Sequence, residues 1–247
     1  MSEAAVGRRV LVTGARRGIG AAIAVELAAA GWTLLLHHLD AADEAEAVAR
    51  RCRERGAETE ILEADLADPA AVSALAERSG PVDILVNNAS RASNVSLDAL
   101  SLAEWQETFT VNVTAPMLLA QALGAGMAAR GWGRIVNVTS ATVALGGPSG
   151  PSYVSSKAAL VGLTRSLARA LGPGGVTVNA LSPGAIRTER EVEILGADPH
   201  TGLVSAQAVP RALVPADLLT AVQFLVADGS GAMTGQVVEV GAGLVLG

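Results

Sequence analysis

Short apolar runs alternate with longer helix-like stretches from one end of the chain to the other. The runs at Arg9–Thr13, Thr33–His37, Thr59–Glu63, Ile84–Asn87, Arg134–Val138, Thr177–Leu181 and Val237–Val240 are mostly continuous Val, Ile and Leu. Continuous rather than alternating apolar strands are those covered on both faces, as in parallel sheets. Between them, helices are predicted over Ile19–Ala30, Ala41–Arg55, Pro69–Arg78, Leu102–Ala129, Ser152–Leu171 and Pro215–Val226. Gly31, Gly56 and Gly172 stand at the expected helix C-caps, where a left-handed residue commonly ends a helix. Strand–helix alternation of this kind predicts right-handed crossovers and an α/β, Rossmann-type, doubly wound parallel sheet with helices on both faces. Residues 1–247 read as a single domain, without repeat, linker or low-complexity tail. Only Ala185–Arg211 is long and lacks a clear period. Long irregular segments in compact domains are usually functional, so residues 185–211 read as a substrate lid.

Composition narrows the classes. Half of the 247 residues are apolar, enough for a sizeable core, but only 2% are aromatic, so the core must be aliphatic. A net charge of −6 without a basic run argues against a nucleic-acid partner. Mean hydropathy is +0.40, yet it comes from scattered Ala and Val, and no uninterrupted apolar stretch reaches the ~18 residues of a membrane span. The first residues, MSEAAVGRRVLVTG, carry no apolar segment with a cleavage site, and cytoplasm is the expected compartment. The single cysteine, Cys52, excludes an internal disulfide and has no partner ligands for a metal site. Its RRCRER surroundings read as a solvated helix face.

Candidate chemistry appears first at the end of the first strand. Thr13-Gly14-Ala15-Arg16-Arg17-Gly18-Ile19-Gly20 leads straight into a helix. Glycines there allow a tight turn and bring backbone amides to a pyrophosphate, whose charge a helix N-terminus favours. In such folds an acidic residue at the tip of the second strand meets the adenosine ribose and selects NAD. This strand ends Leu36-His37-His38-Leu39-Asp40, with no carboxylate at the tip itself. Arg16 and Arg17 are placed to hold a 2′-phosphate, so NADP(H) is favoured over NAD(H). The histidines are read with it, His38 towards the cofactor, although a polar loop end would account for both.

A second constellation stands out by its rarity. Tyr153 and Lys157 are the only tyrosine and the only lysine in the chain, which carries 17 arginines. Arginine keeps its proton and presents a planar fork, whereas lysine is a compact point charge. A chain that uses Arg at every other cationic position has a reason for an ammonium at this one. Positions i and i+4 share a helix face, and a nearby ammonium favours phenolate over phenol. The pair therefore suits proton transfer near neutral pH; the plain alternative is a surface helix with a solvated Lys.

Together, TGxxxGxG near the N-terminus and Tyr-x-x-x-Lys beyond the middle resemble the short-chain dehydrogenase/reductase family, and the resemblance spans the chain. Asn87-Asn88-Ala89 after the fourth strand, Asn112 in Thr-Val-Asn-Val, Ser140 after the fifth strand, Pro183-Gly184 with Thr188, and Met233-Thr234-Gly235-Gln236 follow in the family's order. The resemblance is to the family's single-domain branch, of the 3-oxoacyl-ACP reductase kind. It implies a catalytic set of Asn112, Ser140, Tyr153 and Lys157. Tyr153 would be the general acid/base, Ser140 would hydrogen-bond the same substrate oxygen, and Lys157 would bind the nicotinamide ribose and hold the tyrosine pKa down. Asn112 would help keep a water against Lys157. For the cofactor it implies Gly14, Arg16, Arg17, Gly18, Ile19, Gly20, His38, Asp65 at the adenine, Leu66, Asn88, Ala89, Tyr153, Lys157, Pro183, Gly184, Ile186 and Thr188.

Two segments depart from the family pattern. Ser90 replaces the glycine after Asn-Asn-Ala, which questions the local turn, and Val240-Gly241-Ala242-Gly243 replaces Val-Asp-Gly-Gly, which questions packing or a subunit contact. The pocket-facing strip from Ala141 to Ser152 and the lid residues Ile186, Leu195, Leu203 and Val204 are small or aliphatic, with Arg91, Glu189, Arg190, Glu191 and His200 as polar candidates and Arg91 as a candidate anion contact. The expected activity is an NAD(P)-dependent hydride transfer between nicotinamide and a small carbonyl or secondary alcohol. The rival from another class is a non-catalytic nucleotide sensor on the same fold, disfavoured because this chain keeps the Tyr/Lys pair. Enoyl reductases space that pair farther apart, and sugar-nucleotide epimerases carry a further C-terminal domain. The Ala- and Leu-rich helices Leu102–Ala129 and Ser152–Leu171 suggest a homodimer or homotetramer, by analogy with relatives.

Overall fold

A computed structural model of the chain describes residues 7–189, 192 and 201–246. Its strands are β1 (Arg9–Val12), β2 (Thr33–His38), β3 (Glu58–Glu63), β4 (Ile84–Asn87), β5 (Gly133–Val138), β6 (Val176–Pro183) and β7 (Val237–Val240). They form one sheet in the order β3-β2-β1-β4-β5-β6-β7, every neighbouring pair parallel. The helices are α1 (Gly18–Leu27), α2 (Ala42–Glu54), α3 (Pro69–Ser79), α4 (Leu102–Phe109), α5 (Ala115–Ala129), α6 (Thr142–Leu145), α7 (Pro151–Leu171), α8 (Thr201–Ser205) and α9 (Leu219–Val226). Strand order reverses at β1, which pairs β2 on one side and β4 on the other. In open α/β sheets such a reversal leaves a crevice beyond the strands' C-terminal ends.

Successive strand residues point to opposite faces, and two cores arise from that period. Val10, Val12, Leu34, Leu36, Ile84 and Val86 pack with Ile23 of α1, Val48 of α2 and Val222 of α9. Leu11, Leu35, Leu85, Ile135 and Val178 pack on the other face with Leu75 of α3 and Leu119 and Met127 of α5. Cys52 belongs to the first core and is fully buried. The expectation of a solvated position fails because Ala45, Val48, Ala49 and Cys52 recur at helical spacing and form the buried stripe of α2, while its arginines face outward.

The helix predicted over Leu102–Ala129 runs through as one helix with a π-turn in its middle. α4 and α5 are joined by a π-turn, Thr110–Thr114, in which the Ala115 N–H donates to the Thr110 carbonyl five residues back. Pro116 is the physical reason. It has no N–H to give to the carbonyl of Asn112, and its ring would clash with that carbonyl in a regular helix. Among the described residues Leu102–Ala129 is also the one run long and apolar enough to cross a membrane by length and composition, but 44% of its most apolar window is buried inside the fold. Gly31 and Gly56 are left-handed as expected (φ 79° and 90°). Gly172 is instead right-handed (φ −53°) and starts a 3-10 turn, and Gly175 (φ 74°) takes the left-handed role.

Candidate active site

β1 delivers its chain into the crevice as a turn that only glycine accommodates. Gly14 and Gly18 adopt left-handed backbone (φ 65° and 59°), and a Cβ on Gly20 would lie 2.3 Å from the Gly14 carbonyl oxygen. The turn is pinned from β4: Asn88 Nδ2 donates to the Thr13 and Gly14 carbonyls (2.9 and 3.2 Å), and Thr13 Oγ1 accepts the Asn88 and Ala89 N–H groups (3.0 Å each). Arg17 then takes the N-cap position of α1 with extended backbone and supplies no capping side chain. The first turn of α1 therefore offers backbone N–H groups at a positive dipole end.

A cavity of about 560 Å³ opens over this loop. Gly14, Arg16, Arg17, Gly18, Ile19 and Gly20 form its floor, and His38, Asp65 and Leu66 one wall. Asn88, Ala89 and Thr188 close the other side. Its size falls within the range of small-molecule and cofactor sites, ~300–1,000 Å³. A glycine turn, an uncapped helix N-terminus and two arginines at one rim fit a phosphate-bearing dinucleotide. Arg16 Nη1 sits 2.8 Å from Glu44 Oε2 of α2 in a half-exposed ion pair. Exposed pairs of this kind contribute only ~0–1 kcal/mol, so a competing phosphate can displace Glu44. Asp65 uses one carboxylate oxygen to accept the Ala67 N–H (2.8 Å), which fixes the turn at the wall.

The two histidines lie inside β2 rather than in a loop and are almost completely buried. His38 Nδ1 accepts the Ala41 N–H (3.3 Å). His37 is more deeply committed. Its Nδ1 accepts the Gly14 N–H (3.0 Å), and its Nε2 lies 3.0 Å from the Ala64 carbonyl oxygen. Burial is the main reason its pKa falls from 6.5 to about 4; the Ala64 bond opposes the fall, His38 adds to it and Asp65 opposes it. His37 also lines the cavity, and sequence reasoning passed over it. Its partners Gly14 and Ala64 lie 23 and 27 residues away, so no local sequence signal marks it.

The Tyr/Lys constellation lies at the start of α7. Pro151 begins that helix, which puts Tyr153 and Lys157 one turn apart on the same face. Lys157 Nζ is 5.6 Å from the centre of the Tyr153 ring. Its ammonium is buried, donates to the Val138 carbonyl (2.8 Å), and has its pKa lowered by desolvation to about 8. Val138 ends β5, two residues before Ser140, so one hydrogen bond ties Lys157 to the strand that carries Ser140. Ser140 Oγ is 3.0 Å from Thr142 Oγ1 and accepts the Thr142 N–H (3.3 Å).

Asn112 stands in the π-turn with its amide fully engaged. Nδ2 donates to Ser156 Oγ (2.9 Å) and the Arg91 carbonyl (3.1 Å); Oδ1 accepts from the Arg91 N–H (2.8 Å) and Ser90 Oγ (3.2 Å). Ser156 Oγ in turn donates to the Tyr153 carbonyl (2.7 Å). Asn112 thus joins the loop after β4 to α7 at the tyrosine. Ser90, which replaces a family glycine, is outside the left-handed region and adds a bond to this amide.

Five of the expected cofactor residues, Tyr153, Lys157, Pro183, Gly184 and Ile186, do not line the cavity. Pro183 ends β6, and its carbonyl accepts the Ala141 N–H (2.9 Å) next to Ser140. Gly184 packs on Gly241 so closely that a Cβ would lie 2.6 Å from the Gly241 Cα. Ile186 is buried and bridges Leu213. Arg91 lines the cavity, with its guanidinium paired to Glu104 (2.8 Å) and Glu107 (3.1 Å). Of the lid, Glu189 lines the cavity and Leu203 and Val204 lie on α8. Arg190, Glu191, Leu195 and His200 lie outside the described residues.

Comparison with known proteins defines the class. Residues 8–197 match the short chain dehydrogenase family. A probable galactose dehydrogenase of Rhizobium meliloti is 35% identical over 242 residues, 96% of this chain and 94% of that protein. The 3-oxoacyl-[acyl-carrier-protein] reductase of Staphylococcus epidermidis is 31% identical over 245 residues, 98% of this chain and 100% of that one. The crystal structure of a 3-oxoacyl (acyl-carrier-protein) reductase from Agrobacterium tumefaciens with NADP bound superposes with a TM-score of 0.90 at 34% identity, covering 96% of this chain and 94% of that chain. The chain belongs to the short-chain dehydrogenase family. It is an NAD(P)-dependent oxidoreductase acting on CH–OH and C=O groups.

Proposed function

We propose that this chain is a single-domain, NADPH-dependent ketoreductase in which Asn112, Ser140, Tyr153 and Lys157 form the catalytic set and residues 185–211 the substrate lid. The observation that carries the reading is the buried Lys157 ammonium, 5.6 Å from the only tyrosine ring and fixed to the end of β5. The preference for NADP(H) is supported by Arg16 and Arg17 at the rim, by the absence of a carboxylate at the β2 tip, and by the NADP held in a similar solved structure.

The bound nicotinamide supplies the hydride, and the protein supplies position and protonation. The glycine turn and the α1 N-terminus would hold the pyrophosphate, and Asp65 and Leu66 would border the adenine. Tyr153 gives its phenolic proton to the carbonyl oxygen as the carbon is reduced. Ser140 donates a hydrogen bond to that same oxygen. With its oxygen already accepting the Thr142 N–H, its own hydrogen remains available to the substrate. Lys157 keeps positive charge beside the phenol, which favours the phenolate left after transfer. Asn112 holds the loop after β4 and the start of α7 at one spacing.

The substrate class is a small or medium hydroxy/oxo compound, an acyl thioester, polyol or secondary alcohol, in keeping with a pocket strip of small aliphatic residues. The enzyme works in the cytoplasm as a homodimer or homotetramer. Titration of the purified protein with NADPH and NADH, followed by nicotinamide fluorescence with and without a panel of ketones, tests the proposal. Tight NADPH binding with oxidation by one ketone is expected. An NADH preference would overturn the reading of Arg16 and Arg17, and binding of neither would leave only a shared fold.

A further inference from the structure

Residue 37 governs the start of the glycine loop through two groups. Its carbonyl accepts the Ala15 N–H (2.9 Å), and its imidazole Nδ1 accepts the Gly14 N–H (3.0 Å). The far side of the ring lies 3.0 Å from the Ala64 carbonyl oxygen. A carbonyl has no proton to give, so Nε2 must carry the hydrogen and Nδ1 the lone pair. Only a neutral imidazole in the Nε2–H tautomer makes both contacts at once. The residue is 3% exposed, so water has little access to replace either partner. Neutrality agrees with the depressed pKa of this ring, about 4.

Both contacts end on the walls of the cofactor cavity. Gly14 opens the turn and has left-handed backbone, and Ala64 immediately precedes Asp65 on the facing wall. We propose that His37 is a positioning residue for the dinucleotide: its Nε2–H imidazole braces the Gly14 turn against the Ala64–Asp65 segment and sets the cleft width before the cofactor arrives. The ligand in this statement rests on the proposed function above. The ring sits at the β2 tip, away from the tyrosine and serine assigned to the reacting oxygen. Its loss should therefore weaken cofactor binding and leave saturated turnover nearly intact. A shorter amide side chain has one acceptor and one donor but cannot span both walls.

The test combines NADPH fluorescence titration and steady-state kinetics on wild type, His37→Ala and His37→Asn with long-range proton–nitrogen spectra of the imidazole rings. The chain has three histidines, and the signals missing in His37→Asn assign the ring. The assigned ring is expected to show the Nε2–H pattern from about pH 8 down to about pH 6. In His37→Ala, Kd and KM for NADPH should rise about tenfold or more while kcat stays within about twofold, with His37→Asn between. An Nδ1–H or doubly protonated ring at neutral pH would overturn the proposal, and so would an unchanged Kd or a loss confined to kcat. The spectra need only the wild type and one folded variant, so misfolding of His37→Ala does not protect the idea. Wild type that binds neither nicotinamide would sink the proposed function together with this one. Wild type that binds tightly, with variants that match it, would sink this one alone.

Discussion

His37 and Lys157 sit in different parts of the active-site region, one at the tip of β2 and the other near the start of α7. Both are bases taken out of water, and burial lowers the pKa of each. Their charge states nevertheless differ, because the starting values differ. Histidine falls from 6.5 to about 4 and is neutral at physiological pH. Lysine falls from 10.5 to about 8 and keeps its proton there. The same desolvation thus turns one group into an uncharged strut between backbone groups and leaves the other as a buried cation. The hydrogen bonds match. His37 meets one donor and one acceptor, whereas Lys157 donates to one carbonyl and lies 5.6 Å from the centre of the Tyr153 ring. Arginine would not serve for Lys157, because its guanidinium cannot be deprotonated and its planar fork replaces the compact point charge of an ammonium.

Removing the cation breaks the comparison most severely. Lys157→Met should cut kcat/KM by about 10² or more, since the acid/base step loses its charge partner. Steady-state assays at pH 7 measure it, and near-wild-type rates would remove Lys157 from the mechanism.

Stability against pH separates the two bases next. Between about pH 6.5 and 4 the unfolded chain protonates His37 while the folded one does not, so folding is progressively penalised as pH falls. At ~1.36 kcal/mol per pKa unit the loss approaches ~3 kcal/mol below pH 4. For Lys157 the unfolded chain holds the extra proton between about pH 8 and 10.5, so its contribution rises with pH across that window by a similar amount. Urea unfolding of wild type against His37→Asn, and of wild type against Lys157→Met, isolates each window. Parallel curves in either comparison would contradict the assigned burial.

The smallest effect concerns the C-terminal departure from the family pattern. Ala242 stands where the family has glycine and adopts φ 53°, a left-handed conformation that costs an L-residue ~1–2 kcal/mol. Ala242→Gly should therefore raise unfolding free energy by about 1 kcal/mol, net of the flexibility glycine adds to the unfolded chain. Thermal melts check it. A lower melting temperature would mean that the Ala242 methyl packs usefully. The Ala242 carbonyl accepts the Val209 N–H (3.0 Å) from the segment proposed as lid.

How far these features were legible depends on whether the signal is local. Seven runs became seven parallel strands with ends shifted by at most two residues; most are continuous Val, Ile and Leu, whereas β3 at the sheet edge exposes Glu58, Glu60 and Glu63. The glycine turn and Tyr153–Lys157 were legible because steric permission and helix spacing are written in adjacent residues. Cys52 was misread from its arginine neighbours, when positions three, four and seven residues back decide its burial. The helix over Leu102–Ala129 was legible end to end from its apolar periodicity, and only the π-turn at Thr110–Thr114, marked by Pro116, was not. His37 and Ser90 were beyond a linear reading. Their partners, Ala64 and Asn112, lie 27 and 22 residues away and meet them only through the fold.

The central claim is that a phenol held beside a buried ammonium moves the proton. Tyr153→Phe tests it most directly, with NADPH binding and ketone turnover measured on the same preparation. The account predicts wild-type NADPH affinity and a turnover loss of about 10²–10⁴. A Phe variant that binds NADPH and reduces ketone at the wild-type rate would contradict it.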